Sequence, residues 1–335
     1  MKKMIGVIAI ICSSFLFAQD LTWNQEIVTF KSANPFSFEG IITDLDNQPI
    51  QEVSGILTLP ENFDSSKKYP LIIGVAGSLN WGTHHLKYLK MFQEMGFATF
   101  QLQSFDSRDI QSTVGTQTEV TTAMVILDSY RALETLSTHP NIDTNRAGIT
   151  GWSLGGGVSL YSAWLPLIDA INNREFMFAA HLPIYPPCLS YPYPASNMQF
   201  STAPIHILIG ELDSWVPAAA CTELLEKMEY SGLPVNIDMT IYDNAHHSFD
   251  RRDTEISVVE NGYSLGDCRF PMNEEGTLWL SEYWNIPINT PLRQKLALLT
   301  CAGRGPSMGG NVDAREKSFN FSKEFFKKNL KIIFN

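Results

Sequence analysis

Apolar and polar residues fall in blocks along this chain, and the period changes from block to block. Residues 26–59 hold short β-type runs, EIVTF, FEGIIT and SGILTLP. A polar connection, ENFDSSKKYP, ends at Pro70. LIIGVAG follows as a continuously apolar, β-branched run, the pattern of a strand buried on both faces. HHLKYLKMFQEMG has helical period and stops at Gly96, and FATFQL is the next strand. TTAMVILDSYRALETLSTH is helical up to Pro140. RAGIT is a strand, and another helix begins after Ser153. MFAAHLPIY, IHILIG and VNIDMTIY read as strands, CTELLEKMEYSG as a helix stopped by Gly232, and AREKSFNFSKEFFKKNL as a closing helix. Alternating strands and helices predict an α/β fold, a mainly parallel sheet with helices on both faces. No repeat, low-complexity tract or linker divides residues 19–335, so one domain is expected. Between about 255 and 310 the alternation breaks into a stretch rich in Gly, Asn and Pro, expected to be an irregular excursion.

The first residues stand outside this pattern. Lys2 and Lys3 precede an apolar run from Met4 to Phe17, and Ala18 offers a small residue before a cut. This predicts a secretory signal peptide over 1–18, cleaved near Ala18. The run is shorter than the ~20 residues a membrane span needs, so no stable membrane insertion is expected after cleavage. Ile11 stands where a lipoprotein signal would place a small residue before Cys12. The expected location is periplasmic or secreted.

Composition then narrows the partners. The 335 residues are 44% hydrophobic and 18% charged, a globular balance. Losing Lys2 and Lys3 takes the formal net charge from −11 to −13. An acidic surface repels phosphate backbones, so no nucleic-acid partner is expected. Oligomeric state is not legible. Four cysteines remain, and an oxidising compartment favours bridges. Cys188 follows the strand ending HLPIY, and Cys221 opens the helix after the next strand. Neighbouring βα units lie side by side, which predicts Cys188–Cys221. Cys268 and Cys301 bracket the excursion, and a bridge there would hold it to the sheet. No CxxC pair or His/Cys cluster suggests a metal.

The candidate chemistry centres on AGITGWSLGGG, residues 147–157. A strand running into Gly-x-Ser-x-Gly and then a helix makes a sharp turn that lifts the serine above the sheet. Gly151 and Gly155 avoid clashes with the adjacent strand and helix, and Ser153 is the candidate nucleophile. A serine needs a base, and the base an orienting acid. Downstream, IHILIGELDSWVP carries Glu211 and Asp213 after a strand, and TIYDNAHHSFD ends a strand with His246 and His247. Asp213 is preferred because Glu211 lies closer to the strand end. The order Ser, acid, His puts all three at the C-terminal edge of the sheet, where ligands bind in open α/β sheets. The excursion would then lie over that face. His206 lies inside a strand, and His139 sits in a turn before Pro140. His84 and His85 precede the serine and are candidate pocket-lining residues. The Leu154 N–H and the Ser78 N–H, on the loop after LIIGVAG, are candidate oxyanion donors. Trp152 beside the serine and Arg108 in FDSRD are candidate substrate contacts, a surface salt bridge being the alternative for Arg108.

These pieces resemble the dienelactone hydrolase family of α/β-hydrolases, in particular an exported branch with serine at the elbow. The resemblance rests on GILTLPENFDSSKKYPLIIGVAGS, QSFDSRD, HPNIDTNRAGITGWSLGGG, IYPPC, LIGELDSWVPAAAC, YDNAHHSFD and CAGRGPSMGGN, which span most of residues 50–330. It implies an α/β-hydrolase fold, a small-molecule ester substrate and no cofactor. Its Ala-x-His-x-Phe pattern falls on Ala245 to Phe249 and selects His247, and its acid pattern selects Asp213. Two positions depart from it. Ser153 stands where the name-giving enzymes carry cysteine, which sets dienelactone itself aside as the substrate. Ala76-Gly77 replaces a His-Gly pair whose histidine braces the oxyanion loop. The expected function is a serine hydrolase of carboxylic esters. The rivals are a serine peptidase of the same fold, which would want an added cap or propeller, and a binding protein without catalysis, which an intact triad disfavours.

Overall fold

The computed structural model describes residues 21–281 and 285–330. The expected signal peptide lies outside the described residues. Eight strands form one sheet: β1 (Gln25–Ala33), β2 (Ile50–Thr58), β3 (Tyr69–Val75), β4 (Ala98–Leu102), β5 (Ile142–Trp152), β6 (Ala180–Ile184), β7 (Ile205–Gly210) and β8 (Ile237–Tyr242). Their spatial order is β1-β2-β4-β3-β5-β6-β7-β8. β2 pairs antiparallel with β1 and β4, and every later neighbour is parallel. The central strands β3 and β6 are buried almost throughout, which is why their sequences are apolar without alternation.

Helices cover both faces. α1 (Phe38–Asp44), α2 (Thr83–Glu94), α3 (Thr122–Leu136), α4 (Leu154–Tyr161), α5 (Leu165–Asn172), α6 (Ala218–Ser231), α7 (Pro291–Cys301) and α8 (Val312–Asn329) follow in chain order. A Cβ on Gly148 of β5 would strike Phe326 of α8, whereas one on Gly151 would strike Gly155 of α4. Residues three apart on a strand face opposite ways, so α8 and α4 lie on opposite sides. Tyr88 of α2 stacks on Phe319 of α8 at 3.9 Å, which joins those two helices on one face.

Two segments differ from the expectation. FEGIIT is not a strand but α1. The Ser37 side chain accepts from the Gly40 N–H at 3.3 Å, capping the turn, and Phe38 and Ile41, three apart, are its buried face. The excursion is not irregular throughout, since it holds α7, capped by Thr290, whose hydroxyl accepts from the Arg293 N–H. Cys188–Cys221 and Cys268–Cys301 are both bonded, with Cα atoms 4.9 and 5.0 Å apart. Among the described residues, no helix is long and apolar enough to cross a membrane.

His181 of β6 is buried, with Nδ1 2.9 Å from the Ser159 carbonyl. Burial pushes its pKa from 6.5 down to about 4. The unfolded chain therefore takes up a proton that the folded chain refuses as pH falls through this interval, so stability drops from about pH 6.5 towards about pH 4 and is complete above it. Denaturant midpoints measured between about pH 7 and 5 should fall more steeply for the wild type than for His181→Asn. Parallel curves would contradict this.

Candidate active site

The site forms where β5, β7 and β8 end. At the end of β5 the chain turns sharply at Ser153, whose φ of 56° and ψ of −115° leave the ordinary regions. The turn is held because Ser153 donates its N–H to the Ile184 carbonyl at 3.0 Å and accepts from the Gly157 N–H at 3.0 Å. Its glycines are steric necessities: a Cβ on Gly151 would sit 2.1 Å from the Gly155 carbonyl oxygen, and one on Gly155 2.2 Å from that of Val75. The next residue, Leu154, begins α4, so its N–H has no carbonyl four residues back within the helix.

His247 Nε2 lies 3.0 Å from Ser153 Oγ, and His247 Nδ1 lies 2.7 Å from Asp213 Oδ2. The other Asp213 oxygen accepts from the N–H groups of Trp215 and Val216, both at 2.9 Å, which fixes the carboxylate. The imidazole sits between the rings of Trp215 and Tyr185, with centroids at 4.9 and 4.7 Å. A hydroxyl, an imidazole and a carboxylate linked in this order can pass a proton from Oγ to Nε2 and hold the imidazolium beside a fixed negative charge. The competing residues are engaged elsewhere. Glu211 accepts from the Asn244 N–H at 2.9 Å, and His246 Nδ1 lies 2.9 Å from Ser307 Oγ. His206 bonds Thr240, and His139 pairs with Glu26.

The loop after β3 approaches the elbow closely. A Cβ on Gly77 would meet the Trp152 carbonyl at 3.0 Å and Ser153 Cβ at 3.3 Å. The brace that Ala76 cannot supply comes from farther along the chain. The Ser78 carbonyl accepts from the Thr113 N–H and the Ser112 hydroxyl, both at 3.0 Å. Gln294 of α7 donates to the Gln117 carbonyl at 2.6 Å, and Ser78 Oγ reaches the Gln117 side chain at 3.4 Å. The loop after β3 is thereby tied to the excursion.

Residues 303–311 are a second support not foreseen from sequence. Gly309 donates to the His247 carbonyl at 3.0 Å, Asn311 to that of Phe249 at 2.8 Å, and the Ser307 N–H to Ser214 Oγ at 3.0 Å. One strand of chain thus fastens the acid loop to the base loop. Its usable signal was the close glycine pair, since a Cβ on Gly310 would meet the Arg251 carbonyl at 2.3 Å.

Two cavities of about 190 Å³ each open on Ser153. One is largely apolar and includes Phe38, Leu154, Tyr161, Phe270 and Leu298. The other contains His247, Tyr185, Arg251, His84 and His85. Burial holds the imidazoles of His84 and His85 below their ordinary range. Among the described residues, no group of three or more His, Cys, Asp or Glu converges as a metal site.

Two expected substrate contacts are corrected. Trp152 is fully buried beneath the elbow, stacked on His85 at 4.5 Å, and lines neither cavity. Arg108 is neither a substrate contact nor a surface salt bridge. Its guanidinium forks onto Asp128 at 2.7 and 3.1 Å and also donates to Asn34 and the Ser104 carbonyl, with both charged side chains buried. Ser32 and Ser104 complete the Asp128 shell. Arg108→Met should therefore destabilise the fold by about 3–5 kcal/mol, because Asp128 is left buried and unpaired. Chemical denaturation should register that loss while kcat at moderate temperature changes little. A stable variant with selectively raised KM would restore Arg108 to the substrate.

Residues 90–266, more than half of the chain, match the dienelactone hydrolase family. None of the curated proteins matches. Among solved structures, the chain is similar to a dienelactone hydrolase-like promiscuous phosphotriesterase from metagenomic libraries, at 13% identity and a TM-score of 0.56 over 91% of this chain and 99% of that one. A structure named m3DLH aligns at 14% identity and a TM-score of 0.53, also over 91% and 99%. An esterase from Pyrococcus furiosus aligns at 16% identity and a TM-score of 0.45, over 67% and 84%. At such identities the likeness is one of fold. The family match, on the sheet order described above, makes this chain a member of the dienelactone hydrolase family, a hydrolase with the α/β-hydrolase fold.

Proposed function

We propose that the protein is an exported serine hydrolase of carboxylic esters. The observation that carries this reading is the continuous chain from Ser153 Oγ through His247 to Asp213, at 3.0 and 2.7 Å. His247 Nε2 takes the Ser153 proton as Oγ bonds to the ester carbonyl carbon. The carbonyl oxygen becomes an oxyanion between the Leu154 and Ser78 N–H groups. Collapse breaks the bond to the alcohol oxygen, which leaves with the proton from His247. Water, giving its proton to the same nitrogen, then releases the acid and restores Ser153. Asp213 keeps the imidazole oriented and stabilises its charged form. A lactone, the bond in the family's name, is an internal ester, which supports esters over amides.

Export is supported by two bridged cysteine pairs, which persist in oxidising compartments, and by the leader-like residues 1–18. Residues 19–335 are read as one domain with a small-molecule ester as partner.

Two experiments test this reading. Ser153→Ala and His247→Ala should each lower ester hydrolysis by about four orders of magnitude or more without unfolding the chain, whereas His246→Ala should cost less than about tenfold. Near wild-type turnover in Ser153→Ala, or the reverse ranking of the histidines, would overturn the assignment. Peptide mapping of unreduced protein from the producing cell should find a chain starting near Gln19 with Cys188 joined to Cys221 and Cys268 to Cys301. Four alkylatable thiols or an intact leader would rule out export.

A further inference from the structure

The two cavities at Ser153 differ in chemistry, and the reaction geometry assigns one half of the substrate to each. The leaving-group oxygen must reach His247 Nε2 to be protonated, so the alcohol half lies on the His247 side, in the cavity that this residue lines. The acyl half is bonded to Ser153 and must extend the other way. There it meets the second cavity, which shares Ser78, Ser153, Leu154 and Trp215 with the reacting centre but does not contain His247.

That second cavity is a built apolar space. Phe38 and Tyr161 form one wall, their rings 5.6 Å apart. The excursion forms the roof through Phe270, Leu278, Ile288 and Leu298. Its volume is about 190 Å³. For scale, a cavity of about 150 Å³ lined by Leu, Ile and Phe stays dry and accepts benzene. An acetyl group would leave most of it empty, with its lining deprived of contacts. The roof is held in place by Cys268–Cys301 and by the Gln294 bond to Gln117.

We propose that this cavity is an acyl site selecting a bulky apolar acid, of benzoyl size or a comparable alkyl chain, and that α7 sets its depth. The proposal rests on the serine-esterase reading above and adds the identity of the acyl half. Ala297, buried on α7 and lining the cavity, is the position where a larger side chain shortens the site. Leu298 beside it is the position where a smaller one lengthens it.

The test uses the full mature chain with p-nitrophenyl acetate, butyrate and benzoate, so that one leaving group serves all three and only the acyl half varies. The wild type should favour butyrate and benzoate over acetate in kcat/KM by about tenfold or more, the discrimination a filled apolar pocket supplies. Ala297→Phe should erase that preference while acetate turnover persists. Leu298→Ala should move the optimum to longer chains such as hexanoate. Equal turnover of all three esters by the wild type, with acyl ratios unchanged in both variants, overturns the acyl site but leaves the esterase reading intact, provided a fluorophosphonate still labels Ser153. An intact chain that hydrolyses none of the esters and leaves Ser153 unlabelled overturns the esterase reading and the acyl site with it. If Ala297→Phe fails to fold, the Leu298→Ala shift and the wild-type preference decide the matter by themselves.

Discussion

A serine held at positive φ is the constraint around which this molecule is organised. Isolated, such a conformation is uphill for a non-glycine residue by roughly 1–3 kcal/mol, so it persists only because its surroundings permit nothing else. α4 approaches β5 and β3 so closely that the carbonyls of Gly155 and Val75 occupy the space where side chains would be. The Ser153 amide is bonded to the neighbouring strand at Ile184. The same turn that strains the backbone exposes Oγ and leaves the first amide of α4 without a helical partner. Strain, an outward hydroxyl and an amide without a helical partner come from one piece of geometry.

Asp213, His247 and Ser78 beside the elbow draw hydrogen bonds from several remote parts of the chain. Asp213 uses both oxygens, one for the imidazole and one for two backbone amides. Arg108 and Asp128 repeat that economy away from the site, where their pair fastens β1, the turn after β4 and α3 together. Buried charge is tolerated in both places because every carboxylate oxygen and every guanidinium nitrogen finds a partner.

Much of this was legible in the sequence, and the reasons differ by element. β3 and β6 announce themselves because full burial demands unbroken apolar runs. The elbow is legible because glycine at both −2 and +2 has no other economical explanation. FEGIIT misleads because two isoleucines and a threonine look β-like, and what decides for helix is the capping serine one residue earlier. α7 is hidden by a different cause: Leu292, Leu296 and Leu299 face solvent while Ala297 and Leu298 face inward, so its apolar pattern does not point at the core. Arg108 is opaque because a charged residue's partner is a tertiary fact, and Asp128 lies on a helix whose sequence gives no sign of it. Trp152 is adjacent to Ser153 in sequence, yet strand alternation sends it beneath the sheet edge, towards α2.

The strand of chain that fastens the acid loop to the base loop comes from residues 303–311, long after Ser153 has been synthesised. Chains are synthesised from the N-terminus at about 5–20 residues per second. Ser153 is therefore synthesised well before His247, and His247 before the segment that holds its backbone. The hydrogen-bonded chain from Ser153 to Asp213 gains its last backbone support as nearly the final event of synthesis. A copy that ends before residue 247 carries Ser153 without its imidazole partner, so the order in which the site is assembled is written into the order of the polypeptide.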